Sequence, residues 1–382
     1  MSGLRIGVDL TPLARGATGI ASYVRGLLGA RSALDARALV AWVNQPSLRA
    51  PRLAGVDLAG VRSVHTRVPR RLLNRSWLDR GVGGIEDLVG PLDVFHATDL
   101  LAPRAREAAV VLTVHDLAWR DEPRWVSDGL RFFLERWFAA SLECASAIVV
   151  PSAFTGEALS RAFPATRDKI HVVPHGIDAD FQPTPEATDD AFRERYRLPP
   201  AYLLFVGAIE ARKGIGELLA AHAALERGRG ETLPLVLVGP TAGAGAALRK
   251  AIRERGASVI ATGAVERAAL PAIYRGARAF VFLSRYEGFG IPVFEAAGCG
   301  VPVVCAAIAP LVEQARSFAQ LAPVGASPLA IARAIEETLR GGAALESRLA
   351  RGVAQARAMT WDVAAAATAA VYRAALDRAR SR

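Results

Sequence analysis

Two glutamates in a glycine-rich stretch are the residues of this chain best suited to chemistry. Glu287 and Glu295 lie within SRYEGFGIPVFEAAGCGVPVV, residues 284–304, which follows the apolar run AFVFL. The glycines of this stretch let the backbone approach a ligand closely, and a helix starting near Ile291 would point its first amides at an anion. Glu295, one turn inside that helix, is placed to accept hydrogen bonds from vicinal hydroxyls. From the spacing alone, a plain strand–turn–helix with two solvated glutamates is the alternative.

Two cations follow a buried strand elsewhere in the chain. The segment LLFVGAIEARKG, residues 203–214, places Gly207 at the end of an apolar run and Arg212 and Lys213 at a helix start. Fixed cations beside helix N-terminal amides suit a diphosphate, and arginine adds bidentate geometry. Taken alone, a solvated basic helix start explains the pattern equally well.

Further candidates lie where strands of the first half end. His115, in VLTVHDLAW, ends an apolar run, although a lone histidine is more often a structural residue than a catalyst. Gly19 ends the loop of GVDLTPLARGATGIASYV, which also contains Gly16, and a plain connection from strand to helix is the alternative there. His96, in FHATD, is a weaker candidate of the same kind.

Short apolar runs that alternate with helical stretches must position these side chains. Several runs, such as LLFV and LVLV, are continuously apolar, as in strands buried on both faces of a parallel sheet. The alternation predicts an α/β fold, in which ligands bind beyond the carboxyl ends of the strands. The predicted strands are Arg5–Asp9, Leu39–Val43, Asp93–Ala97, Val110–Val114, Ala147–Pro151, His171–Pro174, Tyr202–Val206, Leu235–Val238, Ser258–Thr262, Ala279–Leu283 and Val301–Cys305.

The length of 382 residues predicts two domains, since single hydrophobic cores stop growing at about 250–300 residues. A polar, proline-rich segment near residues 178–200 indicates the linker between them. We expect one α/β domain over residues 1–190 and a second over 191–358. A C-terminal helix over residues 359–382 is expected to cross back to the first domain.

Composition narrows the class of protein. Hydrophobic residues make up 52% and charged residues 22%, which indicates an ordered globular chain. The 47 basic and 37 acidic residues leave a formal net charge of +10, which favours anionic partners without choosing among them. Three cysteines without metal-ligand spacing predict neither a disulfide scaffold nor a metal site, and a reducing cytoplasm is expected. We expect no secretory leader and no membrane span.

One basic segment predicts a surface of its own. Residues 67–80, RVPRRLLNRSWLDR, carry five arginines with Leu72, Leu73 and Trp77 between them. The segment suits peripheral contact with anionic lipid on the inner face of the cell membrane, and a solvated basic face packed by the three apolar side chains is the alternative. No nucleic-acid recognition signature accompanies the charge, so nucleic acid is not expected as a partner. Six aromatic residues fit either a binding groove or a core: Trp119, Trp125, Phe132, Phe133, Trp137 and Phe138.

The segment 284–304 is similar to the Glu-x7-Glu signature of glycosyltransferase family 4, the group 1 glycosyltransferases with the GT-B fold. The matching residues are Ser284, Glu287, Gly288, Phe289, Gly290, Pro292, Glu295, Ala296, Gly300, Pro302 and Val303. The segment 203–214 resembles the family's Gly-x-x-Glu-x-Arg-Lys-Gly stretch, and further matches follow in family order over nearly the whole chain. The resemblance implies two Rossmann-like, doubly wound parallel-sheet domains that face one another across a cleft.

The resemblance also implies roles for the candidate residues. Glu295 would hold the nucleotide ribose, and Glu287 would contact the donor sugar. Arg212 and Lys213 would grip the donor diphosphate and offset the charge of the leaving group, so that no metal and no cofactor is expected. His115 would reach a hydroxyl of the donor sugar. The implied catalytic set is Glu287, His115, Arg212 and Lys213; the implied binding set is Gly19, Gly207, Arg212, Lys213, Gly288, Phe289, Gly290, Ile291 and Glu295.

The implied activity is a retaining, metal-independent hexosyl transfer from a nucleoside diphosphate sugar to a hydroxyl of a glycan or lipid-linked acceptor. Polysaccharide or lipopolysaccharide assembly is the expected process, and mannose is the expected hexose. A nucleotide-sugar epimerase on the same fold and a non-catalytic nucleotide-sugar-binding subunit stay open as alternatives. A nucleotide-binding dehydrogenase is disfavoured because the chain has no complete dinucleotide fingerprint. The stretch 305–318 departs from the family pattern, which bears on sugar choice and activity.

Overall fold

The computed structural model describes residues 3–14, 19–34, 36–45, 53, 56–228, 233–241 and 243–381. By their contacts the residues form two compact units, each described here by itself. Unit 1 comprises Met1–Gly176 together with Trp361–Arg382, and unit 2 comprises Ile177–Thr360. In the described part of the chain, no helix combines the length and the apolar character required to cross a bilayer.

Unit 1 alternates strands and helices along the chain. Its elements before residue 177 are β1 (Leu4–Asp9), α1 (Thr11–Ala14), α2 (Gly19–Gly29), β2 (Ala36–Asn44), β3 (Arg62–Thr66), α3 (Arg70–Asn74), α4 (Glu86–Val89), β4 (Val94–Ala97), β5 (Ala109–Thr113), α5 (Ala118–Asp121), α6 (Asp128–Cys144), β6 (Ala147–Val150), α7 (Ala153–Ala162) and β7 (Ile170–Val172). Over the described residues its strands form one seven-stranded sheet in the order β3-β2-β1-β4-β5-β6-β7. Each pair of neighbouring strands is parallel.

Unit 2 repeats this plan. Its elements are α8 (Asp189–Arg195), β8 (Tyr202–Val206), α9 (Ile215–Gly228), β9 (Leu235–Val238), α10 (Ala246–Glu254), β10 (Val259–Gly263), α11 (Leu270–Arg275), β11 (Ala277–Phe282), α12 (Ile291–Gly298), β12 (Val303–Ala306), α13 (Ala309–Ala315), β13 (Gln320–Ala322), α14 (Pro328–Arg340) and α15 (Ala343–Ala358); helix α16 (Trp361–Arg380) follows in unit 1. Its described strands form a six-stranded parallel sheet in the order β10-β9-β8-β11-β12-β13.

The continuously apolar runs form the central strands, as their composition predicts. Every residue of β8, YLLFV, and of β9, LVLV, is buried. Helices cover the sheets, and serine side chains cap several of them: Ser152 accepts a hydrogen bond from the amide of Thr155 at the start of α7. The Ser-x-x-Thr spacing therefore stops the strand β6 and starts the next helix.

Both strands that the sequence did not predict lie at sheet edges. β3, RSVHT, ends the sheet of unit 1, and β13, QLA, ends the sheet of unit 2. Neither has a continuous apolar run, because an edge strand has only one strand neighbour and is less buried. The predicted strand Ala279–Leu283 begins two residues earlier in the structure, at Ala277.

The units divide at Gly176 and Thr360, whereas the sequence placed the boundaries at residues 190 and 358. The difference arises because the segment before α8 is fastened to unit 2. Arg275, on α11, donates to Asp189, and their side chains are only 5% and 6% exposed. The ring of Phe181 lies 5.7 Å from that of Tyr274. Polar residues that suggested a loose linker thus make buried contacts.

Candidate active site

The glycine-rich stretch of unit 2 connects β11 to α12. Gly290 precedes α12 with φ of +106°, and a Cβ there would lie 2.7 Å from Cδ2 of Leu311, so glycine suits both the conformation and the space. Ile291 begins the helix, as predicted. Phe289 is 3% exposed and stacks on Phe294, so its side chain belongs to the core.

A lysine–glutamate pair lies beside this stretch. Nζ of Lys213 donates to Oε1 of Glu287 at 2.5 Å, and each side chain is only 13% exposed. Burial acts to raise the pKa of Glu287, but the charges of Lys213 and Arg212 outweigh it and hold that pKa below its usual value. Glu287 is therefore a carboxylate at neutral pH, and the lysine ammonium is fixed by it.

Arg212 joins the same cluster through both ends of its guanidinium. Nη1 donates to the carbonyl oxygen of Tyr286 at 2.7 Å and lies 3.8 Å from Oε1 of Glu287, while Nη2 donates to Glu210 at 2.8 Å. Only 19% of the arginine side chain is exposed. The two cations and Glu287, which come from segments more than 70 residues apart, thus form one cluster.

Backbone contacts fix the distance between these two segments. Arg212 and Lys213 belong to a 3-10 turn, Ala211–Lys213, that immediately precedes α9. The amide of Arg285 donates to the carbonyl oxygen of Arg212 at 2.9 Å. Gly214 has φ of +71°, and a Cβ there would overlap the backbone of Leu283. A glycine is needed at this position for the turn to lie so close to the end of β11.

Glu295 lies in a second cluster of unit 2. It is 5% exposed, and Oη of Tyr274 donates to its Oε2 at 2.9 Å. Nη1 of Arg267 lies 3.8 Å from its Oε1, and Nε of Arg267 donates to Asp178 at 2.8 Å. Burial raises the pKa of Glu295, and the charge of Arg267 and the Tyr274 hydrogen bond oppose this shift without cancelling it.

His115 lies in unit 1, just beyond β5, and is 9% exposed. Its Nε2 donates to the carbonyl oxygen of Thr98 at 2.9 Å, and burial lowers its pKa. The imidazole is therefore neutral, and this tautomer leaves Nδ1 as a hydrogen-bond acceptor. Nδ1 can therefore accept a hydrogen bond from a hydroxyl group.

His96 has a structural environment instead. It is fully buried in unit 1, and its two ring nitrogens hydrogen-bond to Tyr372 at 2.8 Å and to Thr113 at 2.7 Å. Burial lowers its pKa to about 3, so the ring stays neutral. In the structure, His96 is therefore a core histidine whose ring nitrogens are both hydrogen-bonded.

The remaining predicted residues are backbone positions. Gly207 follows β8 with φ of +149°, and Gly19 begins α2 at a position where a Cβ would meet open space. Gly16, of the same loop as Gly19, lies outside the described residues. Gly288 lies buried between Glu287 and Phe289.

The basic segment of unit 1 is helical, but most of its apolar side chains face inward. Leu73 and Trp77 are 8% and 4% exposed, so these two belong to the core, whereas Leu72 is 56% exposed. Of the six aromatic residues, Trp119, Trp137 and Phe138 are core residues and Phe132 is 66% exposed. The apolar face that suggested lipid contact is thus largely used for folding.

Sequence reasoning missed Arg267, Tyr274 and Asp178 as neighbours of Glu295. Tyr274 occurs in the segment TGAVERAALPAIYRGARAFVF, where its position on a short helix looks like an ordinary core position. A signal was nonetheless present, because a buried carboxylate requires a donor or a cation nearby. The sequence does not say which of the many arginines supplies it.

Two protein families match the chain, one for each unit. Residues 18–181 match the family described as Glycosyltransferase Family 4. Residues 188–355 match the family described as glycosyl transferases group 1, and this part contains both clusters of unit 2 apart from Asp178. The two matches together span most of the chain.

Individual proteins agree with these matches. O-antigen chain mannosyltransferase B of Escherichia coli is 30% identical over 284 residues, which are 73% of this chain and 74% of that protein. Sucrose-phosphate synthase of Thermosynechococcus elongatus has a TM-score of 0.73 at 22% identity and covers 96% of this chain and 98% of its own. HepE of Anabaena, in complex with UDP-glucose, has a TM-score of 0.71 at 16% identity with coverage of 96% and 98%. At such identities the two structures show a shared fold.

Proposed function

Because the chain belongs to the group 1 glycosyl transferases of glycosyltransferase family 4 and has the GT-B fold, we propose that it transfers a hexose from a nucleoside diphosphate sugar to a hydroxyl, with retention at the anomeric carbon. The observation that carries this proposal is the cluster of Arg212, Lys213 and Glu287 in unit 2. It offers two fixed cations to a diphosphate and a carboxylate to the hydroxyls of a sugar.

The cations stabilise the departing diphosphate in this proposal. The bond between the anomeric carbon and the diphosphate oxygen breaks, and its electron pair leaves with the diphosphate. The acceptor oxygen bonds to the same face of the sugar and passes its proton to the departing phosphate oxygen. Preorganised positive charge lowers the barrier because it faces the charge that develops. Arg212 and Lys213 supply that charge, which supports transfer without a metal.

The other candidates have roles of their own in this proposal. The carboxylate of Glu295 receives the ribose hydroxyls, and the neutral imidazole of His115 accepts a hydrogen bond from a hydroxyl of the donor sugar through Nδ1. Unit 2 is the donor domain and unit 1 the acceptor domain. Mannose as the hexose and a polysaccharide or lipid-linked acceptor are supported by the name of the Escherichia coli relative, O-antigen chain mannosyltransferase B.

Peripheral contact with an anionic membrane, at the cytoplasmic face, is part of the same proposal. Unit 1 exposes Leu72, Val82 and Phe132, by 56%, 60% and 66%, on or next to neighbouring elements. The turn Arg75–Asp79, which follows α3, meets α6 where Arg136 donates to Asp79 at 2.7 Å. The same segments carry the exposed arginines Arg71, Arg75, Arg80 and Arg136. Exposed apolar and basic side chains together support attraction to anionic lipid.

A panel of nucleotide sugars tests the activity. The donor is identified first as the one that raises the melting temperature with increasing concentration. Transfer predicts nucleoside diphosphate release that requires an added acceptor and matches product formation, with the anomeric configuration retained by NMR. Conversion of the donor sugar without an acceptor would establish the epimerase, and binding without turnover on any acceptor would establish the binding subunit.

A matched pair of lysine variants tests the cluster. We expect Lys213→Ala to lower kcat by about 10²–10³-fold, the loss typical of removing one preorganised charge donor. Lys250→Ala is the control, because that lysine lies on α10 in the same unit with 70% of its side chain exposed. Equal turnover of the two variants would show that the cluster is not the catalytic site.

A further inference from the structure

The cluster around Glu295 is built from three stretches of unit 2. Asp178 lies in the segment before α8, Arg267 in a 3-10 turn before α11, Tyr274 on α11, and Glu295 on α12. Arg267 pairs with Asp178 through two of its nitrogens, and its guanidinium lies over the ring of Phe181 at 5.5 Å. Asp178 and Phe181 therefore both fix the position of the Arg267 guanidinium beside Glu295.

Each oxygen of the Glu295 carboxylate faces a different protein group. Oε2 accepts the hydroxyl of Tyr274 at 2.9 Å, and Oε1 lies 3.8 Å from Nη1 of Arg267. A carboxylate has about four lone-pair sites, two on each oxygen. The two protein groups thus fix the plane of the carboxylate and leave acceptor capacity on both oxygens. Two adjacent acceptors of this kind match two vicinal hydroxyls.

The burial of Glu295 makes this support necessary. A buried carboxylate that lacks partners takes up a proton, and the protonated oxygen becomes a donor that no longer offers the same acceptor to a hydroxyl. Four groups face it: the guanidinium of Arg267, the hydroxyl of Tyr274, the carboxylate of Asp178, and the thiol of Cys299, which directly follows α12. Only Arg267 and Tyr274 favour the ionised form.

We propose that Tyr274 and Arg267 are positioning residues that orient the Glu295 carboxylate to accept both vicinal hydroxyls of the donor ribose. The inference rests on the proposed function, in which Glu295 receives the ribose. It adds that recognition of a ribonucleotide depends on two side chains outside the Glu-x7-Glu stretch. Asp178 acts indirectly, because its carboxylate fixes the position of Arg267.

A conservative tyrosine variant tests the inference. The affinities of UDP, GDP and ADP are measured by calorimetry, and the tightest binder is compared with its 2′,3′-dideoxy form. We expect Tyr274→Phe to weaken binding of the ribonucleotide about tenfold, the value of a hydrogen bond to a charged group, and to leave the dideoxy affinity unchanged. The control is Tyr202→Phe, whose ring is equally buried in unit 2 and whose hydroxyl donates to Ile273 at 2.6 Å.

The Arg267→Gln variant allows a second measurement, the pH dependence of the preference for ribose over dideoxyribose. A residue with a purely structural role would not change this pH dependence. The preference for ribose over dideoxyribose requires ionised Glu295, so it is lost as the pH falls through the pKa of that carboxyl. Removing Arg267 raises this pKa further, and we expect the loss to begin at a higher pH than in the wild type. A preference with the same pH midpoint in both proteins contradicts the inference.

The outcomes separate the inference from the proposed function. A wild type that binds no nucleoside diphosphate contradicts the proposed function itself. A wild type that binds the ribonucleotide and its dideoxy form equally retains the diphosphate site and overturns the role of Glu295 and its neighbours. A Tyr274→Phe protein that loses affinity for both forms to the same extent, or for neither, overturns the positioning role alone.

Discussion

Glu287 and Glu295 have opposite electrostatic environments although only seven residues separate them. Glu287 faces Lys213 and Arg212, and its pKa is lowered against the effect of burial. Glu295 faces one arginine at 3.8 Å and a hydroxyl, and burial leaves its pKa raised. The ionised Glu287 therefore stabilises the folded protein at neutral pH, whereas the ionised Glu295 destabilises it. A destabilising buried charge of this kind is expected where it serves ligand binding.

The Glu287→Gln variant should lose stability only where the carboxylate is ionised. A lowered pKa contributes stability above the usual value of 4.5, and this contribution disappears as the pH falls through the lower value in the folded protein. We expect a lower melting temperature of the variant at pH 7, and a deficit that shrinks as the pH is lowered below 4.5. Calorimetry over this pH range checks the expectation, and a deficit that does not change with pH would contradict it.

The Glu295→Gln variant should behave in the opposite way. A raised pKa means that the folded protein is destabilised as the pH rises from the usual 4.5 through the higher value in the folded protein. The neutral glutamine removes this cost and still accepts from Tyr274. We expect the ligand-free melting temperature to rise by roughly 2 °C at pH 7, while affinity for a nucleoside diphosphate falls. A lower melting temperature would show that the Arg267 contact outweighs burial.

The spacing of residues predicted the Glu287 cluster better than the Glu295 cluster. Arg212, Lys213 and Glu287 all follow strands of one parallel sheet, so their convergence follows from the topology. The neighbours of Glu295 come from a connecting segment, a turn and a short helix, whose mutual positions depend on side-chain packing. No periodicity or strand order pairs Asp178 with Arg267 across 89 positions.

At the scale of elements, the central strands could be predicted from the sequence, whereas two of the four edge strands, β3 and β13, could not. Nearly every buried strand was found because both of its faces are covered and its sequence is continuously apolar. β3 and β13 carry arginine, histidine, threonine or glutamine, since they are less buried. The basic segment 67–80 shows the same difficulty on a helix, because its arginines concealed that Leu73 and Trp77 are core residues.

Two glycines at the start of α9 should respond oppositely to alanine. Gly214 has φ of +71° and no room for a Cβ, whereas Gly216 lies on the helix with open space around it. We expect Gly214→Ala to destabilise the protein by more than about 1 kcal/mol and to weaken diphosphate binding. Gly216→Ala should be neutral or stabilise by up to about 1 kcal/mol. Denaturant unfolding checks both values, and similar effects would contradict the close approach of the turn to β11.

Exposed apolar residues of unit 1 should control vesicle binding. We expect Leu72→Ser combined with Phe132→Ser to weaken partitioning onto phosphatidylglycerol vesicles about tenfold or more, since both side chains would leave the lipid interface. Leu329→Ser is the control, because that leucine is 54% exposed in unit 2. Sedimentation with vesicles measures the effect, and unchanged binding of the double variant would exclude this surface.

At the scale of the whole molecule, the chain leaves unit 1 and returns to it. Helix α16 packs within unit 1, where Trp361 and Tyr372 are 8% and 0% exposed. Tyr372 hydrogen-bonds to His96, which lies on the strand β4. The fold of the first unit therefore includes helix α16, and its folding depends on a contact between distant parts of the sequence.

Alanine at Gly26 should test this dependence. A Cβ at Gly26 would overlap the indole of Trp361, whereas one at Gly29, on the same helix α2, meets open space. We expect Gly26→Ala to destabilise unit 1 by about 1–3 kcal/mol through overpacking, and Gly29→Ala to change stability by less than about 0.5 kcal/mol. Hydrogen exchange should show lost protection in unit 1 with unit 2 unchanged. Equal loss in both units would mean that they unfold together.

The two ends of unit 2 meet. The amide of Ile177 donates to the carbonyl oxygen of Met359 at 2.6 Å, and Ile177 forms a parallel bridge with Thr360. A segment whose first and last residues are hydrogen-bonded can be exchanged as a cassette, because its removal leaves a gap that a few residues close. If unit 2 is the donor domain, as proposed above, grafting the corresponding piece of a relative between Gly176 and Trp361 should change the nucleotide sugar that is used while the acceptor stays the same.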